Sequence, residues 1–163
     1  MIFRFLLAQL HLESLAKKHS IRDIRLALEK LPEKLNDTSD EAMQRIDAQD
    51  KDDKQLAKKV LSFISYACRL ITVVELQHAL AVEPGTSKLD EETQPLEESL
   101  ISVCAGLVTI DQGSQIIRLV HYSTQEYFER IRATSLPNAP TEITVTCLTY
   151  LSYDVFCKRL LLR

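Results

Sequence analysis

At 163 residues and 45% hydrophobic content, the chain can build one domain, or one domain with an appendage, around a single core. A net charge of −3 gives no electrostatic ground for a nucleic acid or an anionic membrane as partner, and no apolar run approaches the ~20 residues that span a bilayer. Three glycines and 26% charged residues suit helices with short connections better than a sandwich or a doubly wound sheet.

Residues 1–18 place Phe3, Leu6, Leu7, Leu10 and Leu15 on one broad helical face. Ser20 is placed to cap a second helix carrying Ile21, Ile24, Leu28 and Leu31, which Pro32 stops. Asn36 to Ser39 open a third helix through Ala42, Met43 and Ile46. These three form a helical arm over residues 1–50, bounded by the polar tract Gln49 to Lys54.

From Asp53 an amphipathic helix runs to about Cys68, with Leu56, Val60, Phe63, Ile64 and Ala67 on its stripe. Thr72 and Glu75 have the spacing of a capping box, which opens a short helix carrying Val73, Leu76, Ala79 and Leu80. Pro84-Gly85 breaks it. Pro95 starts a third helix with Leu96, Leu100, Val103 and Cys104, and Gly106 stands where a left-handed cap is wanted. Leu107 to Asp111 and Gln115 to Tyr122 alternate as strands, joined through Gln112-Gly113-Ser114 in a glycine turn. Ser123, with Glu126 three residues on, reads as a second capping box for a helix ending near Ala133. After Pro137 and Pro140, a last helix over residues 140–163 turns Ile143, Cys147, Tyr150 and Leu151 inward. The expectation is a mainly α chain: an arm, a winged helix over residues 53–134 (three helices, a hairpin wing, a helix), and a C-terminal helix.

The four cysteines, Cys68, Cys104, Cys147 and Cys157, form no C-x-x-C pair, and three fall on apolar helical faces as reduced structural thiols of a cytoplasmic protein. His11, His19 and His78 show no metal-ligand spacing with Cys or carboxylate partners. Ser123 lacks a nucleophile elbow and Cys104 sits on an apolar stripe, so no catalytic residue is expected. There is no G-x-x-x-x-G-K-[ST], so the chain holds no phosphate-cradling loop and no cofactor of its own. Between Glu83 and Ala105, six acidic residues stand against Lys88 alone, which repels phosphates where a DNA reader needs cations.

Several stretches resemble one family: Leu31 to Leu35, Gln44-Arg45-Ile46, Leu61 to Ala67, Thr72 to Val82, Ser102 to Val108, and Arg118 to Phe128. They look like the segment that follows the NACHT nucleotide-binding domain in fungal STAND-type NTPases, many with ankyrin repeats further on. That segment is also described as a GPI inositol-deacylase winged-helix domain. The chain departs from the family at Leu70, where proline is usual, at Ser39, where an aromatic is, and at Phe63, often tryptophan.

The resemblance implies that the winged helix folds back over the nucleotide-binding domain at rest, and that a histidine at the end of the wing contacts the β-phosphate of bound ADP. The matching residue is His121, within a His-x-Ser-x-Gln-Glu-aromatic pattern completed by Ser123, Gln125, Glu126 and Tyr127. On this reading the chain is a non-catalytic regulatory fragment of a signalling NTPase. Its partners are a NACHT domain and downstream repeats, ADP or ATP sits in the intact protein, and activation brings self-association. A nucleic-acid-binding winged helix and an inert interaction scaffold from a truncated gene are the alternatives.

Overall fold

The computed structural model describes residues 35–156 together with Ser20 and Arg22. The first two helices of the expected arm and the ending from Cys157 to Arg163 lie outside the described residues. The elements in chain order are α1 (Leu35–Asp47), α2 (Lys51–Tyr66), β1 (Ile71–Thr72), α3 (Val73–Leu80), a 3-10 turn (Glu91–Thr93), α4 (Glu97–Ser102), β2 (Val108–Asp111), β3 (Ile116–Leu119), α5 (Tyr122–Ser135) and α6 (Ala139–Leu151). This is a winged helix, α2 through α5, followed by a C-terminal helix.

Local chemistry sets most boundaries. Asp50 caps α2 by accepting from the backbone N–H groups of Asp52 and Asp53, both at 3.1 Å. The expected box at α3 is complete: the Glu75 N–H donates to Thr72 Oγ1 at 3.3 Å and the Thr72 N–H donates to Glu75 Oε2 at 2.9 Å. Helix α4 ends in a turn where Ala105 and Gly106 both hold positive φ, 51° and 85°. The left-handed role expected of Gly106 is therefore shared with an alanine.

The wing differs from expectation in two ways. Its turn does not use a left-handed glycine; the positive φ belongs to Gln115, at 55°. Asp111 shapes the turn instead, accepting from the Ser114 N–H and hydroxyl, each at 2.8 Å. A third strand also joins the sheet. β1 pairs antiparallel with β3 through Ile71–Ile117 and Thr72–Ile116, which gives the order β1-β3-β2.

One core runs through these elements. Val60 and Leu61 of α2, Leu76, Leu100, Leu107, Ile117 and Phe128 are buried together. Ala42, Met43 and Ile46 of α1, assigned to the arm in sequence, belong to the same core. Side chains bind α1 further: Tyr127 Oη donates to Asp40 Oδ1 at 2.5 Å, and Gln49 Nε2 to the Val103 carbonyl at 3.1 Å. Arg132 secures α5 to α2, donating to the Ser65 carbonyl at 2.6 Å and lying over the Tyr66 ring at 4.6 Å.

The inward face expected of the last helix is only half right. Ile143 and Tyr150 are partly covered, but Cys147 and Leu151 are exposed, and the buried anchor is Tyr153, past the helix end. Cys68 is exposed too; Cys104 is the buried thiol among the described cysteines.

Candidate functional site

His121 stands where β3 hands over to α5, in extended backbone with φ −151° and ψ 156°. Its carbonyl accepts from the N–H groups of Thr124 and Gln125, at 3.1 and 3.2 Å. Its ring Nδ1 accepts from the Ser123 N–H at 3.2 Å and lies 2.8 Å from Ser123 Oγ. His121 is thus itself the N-cap of α5, and the expected Ser123–Glu126 box does not form. Ser123 falls one step inside the helix and turns its hydroxyl back to the imidazole. Glu126 sits exposed, close enough to Tyr122 to push that phenol's pKa up.

This arrangement fixes the tautomer. A backbone N–H can only donate, so Nδ1 is the acceptor and the proton of the neutral ring sits on Nε2. The Ser123 hydroxyl then donates to the same Nδ1. The outer ring nitrogen is a donor, the polarity needed toward a phosphate oxygen.

A cavity of about 490 Å3 adjoins the ring, lined among others by Arg69, Leu70, Arg118, His121, Tyr122 and Gln125, with no carboxylate in its lining. Arg69 precedes β1 and Arg118 projects outward from β3, opposite Thr109. The Arg69 guanidinium is fixed by Glu75, with NH2 to Oε1 at 2.6 Å and NH1 to Oε2 at 3.2 Å. Arg69, with the Thr72 N–H behind it, holds the Glu75 carboxyl down at about 2. The capping box of α3 therefore also orients a cation at the rim of the His121 cavity.

The sequence pattern points to His121 at this junction but carries no sign that Arg69 and Arg118 join it. Gln125 and Tyr122 are at the cavity, whereas Thr124, Tyr127 and Phe128 turn inward and are buried. The conspicuous aromatic end of the pattern is core. Among the described residues no group of three His, Cys, Asp or Glu side chains could hold a metal ion. No helix among them is long and apolar enough to cross a membrane. The third helix of the fold, α4, opens with Glu97 and Glu98.

No curated protein and no solved structure matches the chain. A model of the family described as "GPI inositol-deacylase, winged helix domain" matches residues 43–135, more than half of the chain, from the last turns of α1 to the end of α5. The chain belongs to the GPI inositol-deacylase winged helix domain family.

Proposed function

We propose that this winged helix is a non-catalytic regulatory module of a cytoplasmic STAND/NACHT-type NTPase, packing on the nucleotide-binding domain and helping to hold its ADP-bound resting state. One observation carries the reading: His121 is locked by Ser123 with its Nε2 as donor, beside a cavity rimmed by Arg69 and Arg118. His121 and Arg118 favour negative charge there, Arg69 is already paired with Glu75, and no acid lines the opening. That is the composition suited to a diphosphate presented by a neighbouring domain.

The role of each residue follows from its chemistry. His121 donates to a phosphate oxygen, and as a cap it couples that contact to the start of α5. Arg118 supplies charge from the wing; Arg69, paired with Glu75, stands at the β1 edge of the opening. Thr72 and Ser123 are positioning residues. A charge-assisted hydrogen bond, on the order of 1.5–3 kcal/mol, differs between a diphosphate-bound closed state and a released open one. That difference biases the equilibrium without chemistry at this site. The test is ADP retention in a protein where this module follows a nucleotide-binding domain. His121→Asn keeps a capping side chain, removes the imidazole, and should release ADP faster.

A further inference from the structure

A second cavity, independent of the nucleotide reading, lies between α2 and the junction of α5 with α6. Lys51, Lys54, Lys58 and Lys59 of α2 line a space of about 410 Å3. Leu136, Pro137, Asn138 and Ala139 form another part of its wall. The lysines recur on one side of α2 at helical spacing, so their charges converge instead of dispersing.

The acids nearby do not neutralise the site. Asp47 takes Lys54 Nζ and Lys58 Nζ, each at 2.9 Å, and those two ammonium groups hold its carboxyl below the usual range. Glu142 is the one carboxylate in the lining, and Asp52 and Asp53 stay outside it. Among the described residues Lys51 and Lys59 have no carboxylate partner. Four cations thus face two acids.

One further group points to a missing anion. Ser62 lines the cavity, is 5% exposed, and its hydroxyl makes no hydrogen bond to the protein among the described residues. That hydroxyl opens onto the space the lysines surround, where it can donate to an oxygen placed there. Across from it, Asn138 is the N-cap of α6, a helix of 13 residues, yet makes no side-chain capping bond. Glu142 stands in the first turn of that helix, the Ala139 N–H is taken by the Leu136 carbonyl and Pro140 has none, so the α6 amino terminus adds no anion site of its own.

We propose that this cavity binds the phosphate groups of a small soluble phosphorylated ligand. Lys58 and Lys59 supply charge, and Ser62 donates its hydroxyl to a phosphate oxygen. Leu136 and Pro137 offer an apolar wall for the non-phosphate part of the molecule. The volume suits a compact small molecule. A membrane headgroup fits less well, because none of the exposed large apolar side chains (Leu96, Val145, Leu148 and the rest) lines the opening to enter a bilayer.

The experiment titrates the full chain with inorganic pyrophosphate by calorimetry, and follows backbone amide shifts by NMR. Saturable binding at physiological salt is expected, with shifts confined to residues near 51–62 and 135–142. The double change Lys58→Gln, Lys59→Gln should weaken it by about tenfold or more, and Ser62→Ala by about threefold, as loss of charged and neutral hydrogen bonds requires. Lys88→Gln, elsewhere on the surface, should leave binding unchanged. Absence of saturable binding, or equal affinity in the folded double variant and in Ser62→Ala, would overturn the proposal. So would binding to phosphatidylcholine vesicles carrying phosphatidylinositol bisphosphate without binding to pyrophosphate.

Discussion

Nδ1 of His121 lies 2.8 Å from Oγ of Ser123 and accepts the Ser123 backbone N–H at 3.2 Å, so one imidazole both begins a helix and is aimed by it. The cap and the proposed phosphate contact can be separated. His121→Ala removes both and should cost about 1 kcal/mol of stability, as loss of an N-cap does. His121→Asn restores a capping side chain and should unfold within about 0.5 kcal/mol of the parent in urea. Equal destabilisation by both changes would show that the ring does more for the fold than cap it.

The Thr72–Glu75 box predicts an acid-side dependence. Glu75 titrates at about 2 in the folded chain against an ordinary value near 4.5, held down by Arg69 first and the Thr72 N–H next. A depressed carboxyl stabilises the fold above its unfolded pKa, and that stability fades as pH falls from about 4.5 toward 2. Glu75→Gln should flatten this part of the stability-versus-pH curve. Because both side chains are largely solvent-exposed, the amplitude should be small and shrink further with salt. Thr72→Ala should cost about 1 kcal/mol at neutral pH, where the box is intact.

Tyr127 tests whether α1 belongs with the winged helix. Its hydroxyl donates to Asp40 from a ring that is almost fully buried. Tyr127→Phe should destabilise by about 1 kcal/mol and selectively raise hydrogen exchange in α1. Phe128→Ala, which empties a fully buried position, should cost about 3–5 kcal/mol and loosen the whole domain.

Much of this architecture was legible because local and long-range signals agreed. The stripe of Leu56, Val60 and Ile64, the Thr72–Glu75 spacing, and the alternation from Val108 to Leu119 each select one structure. β1 was hidden because two residues cannot show alternation; only pairing with β3 defines it. The α5 cap was misassigned because Ser123–Glu126 has the spacing of a box, and sequence cannot show that a histidine two residues earlier takes the same N–H. Val145, Leu148 and Leu151 share apolar character with Ile143, yet only packing decides which stripe of α6 is covered. Arg69 and Arg118 come from separate elements, and only the β1–β3 pairing brings them to one cavity.

Thiol labelling separates the described cysteines. Cys68 and Cys147 are exposed and should alkylate in the native state. Burial pushes the Cys104 thiol up to about 12, so it should react only on unfolding. Native labelling of Cys104 at the rate of Cys68 would contradict the packing of α4 against β2.

The helix a DNA reader would present to the major groove begins here with Glu97 and Glu98. A gel-shift series with duplex DNA at low and physiological salt should show no retained complex. A retained complex that weakens steeply with salt would contradict the acidic character of α4 as the reading helix.

The most direct measurement of the His121–phosphate contact is the release rate of a fluorescent ADP analogue from a protein in which this module follows its nucleotide-binding domain. The account predicts that His121→Asn speeds release by about tenfold or more while the unfolding midpoint stays put, the kinetic equivalent of losing one charge-assisted hydrogen bond. An unchanged release rate in that folded variant would contradict it.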